Sequence, residues 1–131
     1  DIGYVYEGIV PYDITQLDLD NLPNIKTKLM LNIASPNDVF KYNSYPVNGV
    51  GLVKEEFIIN NFIKAHPQAL INYNINDERI KDLINGYNSP TEYYVEKLCF
   101  GLGRIAATFY PNDVIVRFSD FKSNEYRNLL G

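Results

Sequence analysis

The sequence predicts an α/β fold built on a parallel sheet. Three short apolar runs are typical of buried strands: residues 28–33, residues 49–53, and a run that begins at Val114 and ends at Arg117. Helical patterns separate these runs, so the element order is βαβαβ, which favours a parallel sheet. The chain has 131 residues with a hydrophobic fraction of 46%, enough for one domain with its own core.

The first third of the chain contains strand and turn patterns. Residues 4–11 alternate like a strand and end in a proline, whereas residues 12–24 carry several acids and no helical stripe, as in a linker or surface arm. After the strand at residues 28–33, Ser35 is placed to cap a helix that has a proline at its first position. We expect that helix to continue to about Tyr45.

The middle of the chain is predicted to be helical. A short amphipathic turn precedes His66, and a second helix has an apolar face at Ile80, Leu83, Ile84 and Tyr87 before the terminator Asn85-Gly86. Ser89-Pro90-Thr91-Glu92 is a capping box with proline at the first helical position. It opens a longer helix that ends at Pro111 and whose apolar stripe is Leu98, Leu102, Ile105 and Phe109.

Composition excludes several classes of function. The net charge is −4, and the sequence lacks the basic stripe that nucleic-acid binding requires, so we expect no nucleic-acid partner. No apolar run approaches the roughly 20 residues needed to cross a bilayer, and we expect no signal peptide. The single cysteine excludes an internal disulfide and fits a reducing cytoplasm.

Polar residues occupy equivalent places at the ends of the predicted strands. Lys54 follows the second strand, Arg117 ends the third, and Asn32 lies near the end of the first. Adjacent parallel strands lie about 5 Å apart, so these side chains can converge on one anion. Arg117 offers a planar fork for a carboxylate or phosphate, and Glu56 and Asp120 could orient the cations. Spacing alone leaves ordinary surface ion pairs as an equal alternative.

A long motif carries a family resemblance. Residues 114–126 read V-I-V-R-F-S-D-F-K-S-N-E-Y, and this run closely resembles a motif of the phosphoenolpyruvate synthases (pyruvate, water dikinases), within the PEP-utilising enzymes. Further segments agree in the same order, so that the resemblance covers the whole chain: residues 4–8, 26–32, 49–52, 56–60, 66–67 and 109–111.

The resemblance implies one piece of a three-part enzyme that turns ATP, pyruvate and water into AMP, phosphoenolpyruvate and phosphate through a phosphohistidine. Residues 1–11 would be the terminal strand of the swivelling phosphohistidine domain, residues 12–25 a linker, and residues 26–131 about the first three βα units of a (β/α)8 TIM barrel that binds pyruvate and phosphoenolpyruvate. Such a barrel takes about 250 residues, so this sequence alone cannot close one. We therefore expect the isolated chain to be inactive.

The resemblance also assigns residue roles. Arg117 matches a substrate-binding arginine, whereas Lys54 stands where the family has a second arginine. Because an ammonium cannot reproduce a two-point guanidinium contact, the change leaves open an alternative in which this homologue is non-catalytic or structural, with a degraded pocket. ATP would bind another domain, and the Mg²⁺ ligands would lie outside this chain, which contains no metal ligand and no catalytic residue. We also expect a homo-oligomer, because open strand edges recruit partners.

Four further features have simple structural interpretations. His66 is predicted to be a turn residue ahead of Pro67, since the family's phosphohistidine motif is absent. Cys99 falls within a helical stripe and is expected to be a packed core thiol. Gly101 and Gly103 lack the spacing of a phosphate loop and are expected to permit close helix packing. The tyrosines, including Tyr93 and Tyr94, are expected in the core or an interface.

Overall fold

The computed structural model describes residues 3–14, 16, 18, 21–73, 77–120 and 122–130. In chain order, the elements are strand β1 (Leu31–Ile33), a 3-10 turn (Val39–Tyr42), strand β2 (Gly49–Lys54), helix α1 (Glu55–Ile58), a π-helical turn (Ile59–Ile63), helix α2 (Pro67–Ile71), helix α3 (Glu78–Leu83), helix α4 (Pro90–Phe109), strand β3 (Asp113–Arg117) and helix α5 (Ser123–Tyr126). In the described part of the chain, no helix is both long and apolar enough to cross a membrane.

The three strands form one parallel sheet in the order β1-β2-β3, which confirms the predicted α/β class. β2 is the central strand, and Val50 and Val53 on it are at most 1% exposed. Gly49 opens β2 with a φ of +124°, and a Cβ there would lie 2.2 Å from the carbonyl oxygen of Asp113. Only glycine allows the start of β2 to approach β3 this closely.

β3 is more exposed than its sequence predicts. Its apolar pattern is typical of a buried strand, yet Ile115 is 54% exposed and Val116 40%, and Phe118 beyond the strand is 90% exposed. The reason is that β3 is an edge strand, so among the described residues it has a neighbouring strand on one side only. Only Val114 packs partly against the core.

Two segments before β2 differ from prediction. Residues 4–11 are exposed and form no strand, because alternation produces a strand only where another strand supplies hydrogen bonds, and no described segment pairs with this one. The helix expected from Ser35 to about Tyr45 is reduced to the 3-10 turn Val39–Tyr42. Ser35 Oγ accepts a hydrogen bond from the Asn37 N–H at 3.2 Å, so it closes a turn instead of capping a helix.

The core consists of two clusters joined by α4. One lies against the sheet and is formed by Ile33, Val39, Val50, Val53, Ile58, Ile105 and Phe109. The other lies among the helices and is formed by Ile59, Ile63, Ala65, Leu70, Ile80, Tyr93 and Tyr126. Leu98 on α4 packs against both clusters. Each fully buried aliphatic side chain stabilises the fold by roughly 1.5–3 kcal/mol. Because α4 contributes residues to both clusters, it joins the sheet to the helices.

The ends of α3 and α4 follow the predicted capping chemistry. Ser89 Oγ accepts the Glu92 N–H at 3.0 Å and so caps α4, as the capping box predicts. The Glu92 carboxylate accepts a hydrogen bond from Nδ2 of Asn88, at 2.9 Å from Oε1. In a standard capping box the donor would be the N-cap residue itself, one position later in the sequence. α3 ends at Leu83, ahead of Gly86, which has a φ of +91° as a helix terminator requires.

The expectations for the α4 side chains are met in part. Tyr93 is a core residue, 2% exposed, and its hydroxyl donates to the carbonyl oxygen of Ile63 at 2.7 Å. Gly101 is buried against Ile58, as close packing requires, whereas a Cβ on Gly103 would meet nothing within 4 Å. The prediction for Cys99 is wrong: the thiol is exposed, because position 99 lies beside the apolar stripe and not within it.

Candidate functional site

The carboxyl ends of β2 and β3 bring two cations together. Lys54 and Arg117 are the last residues of their strands, and they are Cα partners in the parallel register. Neighbouring strands lie about 4.8 Å apart, so the two side chains start from adjacent positions on one edge of the sheet. This geometry follows directly from the parallel topology, in which every strand ends at the same edge.

A small cleft lies next to these cations. Asn32, Ile33, Ala34, Lys54 and Phe57 line a cavity of about 90 Å³. Since a water takes about 30 Å³ in the liquid, the cleft has room for roughly three waters or one small anionic group. The amide of Asn32 and the ammonium of Lys54 are its polar groups, and Phe57 provides an apolar wall.

Lys54 makes no ion pair with a carboxylate in the described part of the chain. Its Nζ lies 5.7 Å from the ring centroid of Phe57, a distance at which the ring attracts the ammonium weakly. A lysine whose charge faces an aromatic ring keeps its hydrogen-bond donors available for another acceptor. Lys54 therefore provides a free positive charge at the cleft.

Arg117 lies on the next strand, outside the residues that line the cleft, and its guanidinium contacts a buried acid. Its Nη2 donates to Oε1 of Glu56, whose side chain is 3% exposed, while the Arg117 side chain is 49% exposed. The other carboxylate oxygen, Oε2 of Glu56, is buried and has no hydrogen-bond partner among the described residues. One edge of the guanidinium is thus fixed by Glu56, and the exposed part can face a ligand.

The residue before Glu56 makes a second contact to the same strand end. Glu55 is 7% exposed, and its Oε2 accepts a hydrogen bond from the Ser119 N–H at 3.0 Å. Two consecutive acids therefore reach the end of β3 from the first turn of α1. Glu55 is not among the site residues predicted from the sequence, although two acids directly after an apolar strand are a signal that both could turn inward.

Burial and neighbouring charge shift the pKa values of three groups near this edge. The pKa of Glu55 is raised, mainly because burial disfavours the carboxylate and further because Glu56 is negative, and the Ser119 amide opposes the shift. Burial and the charge of Glu55 raise the pKa of Tyr94 to about 12. Burial also raises the pKa of Tyr126, and a hydrogen bond to Ser119 opposes that shift. The negative charges of Glu56, Glu125 and Glu55 raise the pKa further.

The structure corrects the expectation for Asp120. This carboxylate was expected to orient Lys54 or Arg117, but its ion pair is with Lys122, at 3.5 Å between Nζ and Oδ2. Both side chains are more than half exposed, so the pair stabilises little. The cause is local, because β3 ends at Arg117 and the chain then turns, which leaves Asp120 beside its near neighbour in sequence.

His66 is the N-cap of α2, where its Nδ1 accepts the Gln68 N–H at 3.1 Å, consistent with the predicted turn ahead of Pro67. The described residues contain no group of three or more His, Cys, Asp or Glu side chains that could hold a metal ion. Among the described residues, the β2–β3 edge therefore combines two basic side chains with two buried acids, Glu55 and Glu56.

Comparisons with known proteins identify one consistent family. The family described as "PEP-utilising enzyme, PEP-binding domain" matches residues 13–130. Relatives named phosphoenolpyruvate synthase include those of Synechocystis sp., 46% identical over 137 residues and covering 100% of this chain, and Aquifex aeolicus, 41% identical over 179 residues and covering 98%. The chain spans 17% of the Synechocystis protein's length and 21% of the Aquifex protein's.

Proposed function

The chain belongs to the PEP-utilising enzyme family, in its PEP-binding domain, and we propose on that premise that the β2–β3 edge binds the anionic groups of phosphoenolpyruvate or pyruvate. The observation that carries the proposal is the register pairing of Lys54 with Arg117 beside the cleft. A carboxylate or phosphate placed there would meet a guanidinium fork and an ammonium together. Charged hydrogen bonds of this kind contribute about 1.5–3 kcal/mol each.

The two cations would have different roles. Arg117 is aimed by Glu56 and would make directional contacts to two oxygens of the ligand, since a guanidinium presents parallel donors. Lys54 would neutralise charge without fixing orientation, because an ammonium is a point charge on a flexible stem. Asn32 would donate its amide to the same group from the far side of the cleft.

The reaction we propose for the full-length protein is the one that the family resemblance implies: ATP, pyruvate and water are converted to AMP, phosphoenolpyruvate and phosphate through a phosphohistidine. ATP would be bound by another domain, and Mg²⁺ by ligands outside this chain. The residues discussed here would bind and orient the three-carbon ligand, and the isolated chain would be inactive. The single cysteine supports a cytoplasmic location.

The parallel sheet supports a proposal for the larger architecture. Residues 26–131 would supply about the first three βα units of a (β/α)8 TIM barrel, with residues 12–25 as a linker. Residues 1–11 would belong to the end of the preceding swivelling domain, and they would form its terminal strand only where the rest of that domain pairs with them. Ile115 and Val116 on the exposed edge of β3 would then be covered by further barrel strands or by a second copy of the protein. In a barrel, the carboxyl ends of the strands form the active-site face, where Lys54 and Arg117 lie.

Turnover of the full-length protein tests this proposal. We expect AMP to form from ATP only when pyruvate is present, and Arg117→Ala to abolish that reaction. Arg127→Ala is the matched control, because Arg127 is an exposed arginine in the same polar run and should leave turnover within about twofold. Unchanged turnover in Arg117→Ala would refute the site.

A further variant distinguishes the non-catalytic alternative. If Lys54 serves a working pocket, Lys54→Arg should change the Michaelis constant for pyruvate by no more than about 150-fold, the upper value of one charged hydrogen bond. If the wild-type protein shows no pyruvate-dependent AMP formation and Lys54→Arg restores it, the pocket of this homologue has decayed.

A further inference from the structure

Two adjacent acids hold the end of β3 in different ways. Glu56 contacts the guanidinium of Arg117, whereas Glu55 accepts the backbone N–H of Ser119, which is two residues beyond Arg117. The contacts span 61 and 64 residues of sequence, so they join α1 to β3 and to the turn that follows it. Together, they fix both the side chain of Arg117 and the backbone just after it.

We propose that Glu55 is a positioning residue for the anion site: through the Ser119 N–H, it fixes the turn after β3 and thereby the direction of Arg117. The functional part of this proposal rests on the proposed function, in which Arg117 faces the ligand. The structural part, which is that Glu55 orders the turn, does not depend on it.

Apolar packing cannot hold the end of β3 and the turn after it in one conformation. Phe118, between Arg117 and Ser119, is 90% exposed, and Ile115 and Val116 on β3 are largely exposed as well. The strand end therefore has few buried contacts of its own, and segments of that kind open readily. A hydrogen bond to a buried carboxylate is stronger than a neutral one, and it replaces the missing packing at the position where Arg117 must be held.

The surroundings of Glu55 fit this role. On its own helix it faces the negative charge of Glu56, which Arg117 of β3 partly neutralises. From α4 the hydroxyl of Tyr94 lies within electrostatic reach, and so does that of Tyr126 on α5, which also faces Glu125. A buried carboxyl in such a place lowers the stability of the fold unless it is hydrogen-bonded. If position 55 served only for packing, an apolar side chain would therefore give a more stable fold.

Hydrogen–deuterium exchange of the full-length protein without ligand tests the structural part. In Glu55→Ala, we expect exchange of peptides that contain the Ser119 amide to become about tenfold faster or more, the value of a lost charged hydrogen bond. Glu55→Gln should stay within about threefold of wild type, because its amide oxygen can still accept the Ser119 N–H. Glu96→Gln, at an exposed acid on α4, should match wild type.

Equilibrium binding of phosphoenolpyruvate tests the functional part with the same variants. We expect the dissociation constant to rise about tenfold in Glu55→Ala and to return close to wild type in Glu55→Gln. If Glu55→Ala does not fold, Glu55→Leu takes its place, since it fills the same space without an acceptor. Unchanged exchange at Ser119 would overturn the contact, and faster exchange with unchanged affinity would overturn the positioning role. Failure of the proposed function is separate: it would appear as unchanged binding in Arg117→Ala.

Discussion

The two glycines of α4 provide a paired test of the packing between helices α4 and α1. A Cβ at Gly101 would lie 2.8 Å from Cγ2 of Ile58 and 3.4 Å from its Cδ1, and Ile58 is fully buried and cannot move aside. Overpacking of this kind costs about 1–3 kcal/mol. A Cβ at Gly103, two residues along the same helix, would meet nothing within 4 Å.

Both substitutions to alanine gain the same helix propensity, about 1 kcal/mol, so the difference between them isolates the packing. Gly103→Ala should stabilise the 131-residue chain, and Gly101→Ala should be about 1–3 kcal/mol less stable than Gly103→Ala. At about 4 °C per kcal/mol for a chain of this size, the midpoints of thermal unfolding should differ by about 4–12 °C. Equal midpoints for the two variants, measured by circular dichroism, would refute the close approach of α4 to Ile58.

Two further predictions concern stability. Tyr93→Phe should lower the free energy of unfolding by about 1–3 kcal/mol, because the buried carbonyl of Ile63 loses its donor. The control, Tyr110→Phe at an 84% exposed residue, should change that free energy little. Similar losses for the two variants in denaturant titrations would count against the buried hydrogen bond. Because the pKa of Glu55 is raised on folding, the folded state binds its proton more tightly and wild type loses stability as pH rises from below about 4.3 through the raised value. The stability of Glu55→Gln relative to wild type should therefore increase as the pH rises above about 4.3 in paired denaturation curves. A stability difference that stays constant or shrinks would contradict the burial of that charge.

Much of the fold follows from local patterns in the sequence. The stripe of α4 and its Ser89 cap are visible because one helix face must be apolar and the first amides need an acceptor. The pairing of Lys54 with Arg117 also follows, since parallel strands end at one edge and each of these residues closes an apolar run. The stripe and the cap depend on interactions between residues a few positions apart. The pairing of the two strand ends depends only on the sheet being parallel.

The misses have a common physical origin in contacts between distant segments. The burial of β3 depends on whether a further strand covers it, and the pairing of residues 4–11 depends on a partner that the local pattern does not specify. Whether Glu55 faces water or Ser119 depends on where the turn after β3 lies, 64 residues later. Cys99 was misplaced for a smaller reason, because one position around a helix changes the face by 100°.

The most direct test of the central claim is equilibrium binding of phosphoenolpyruvate to the full-length protein, compared for wild type, Arg117→Ala and Arg127→Ala. If Arg117 and Lys54 form the anion site, Arg117→Ala should raise the dissociation constant at least about tenfold, in keeping with the loss of a charged hydrogen bond. Arg127→Ala should remain within about twofold of wild type. Wild-type affinity in Arg117→Ala would contradict the account and place the ligand away from the β2–β3 edge.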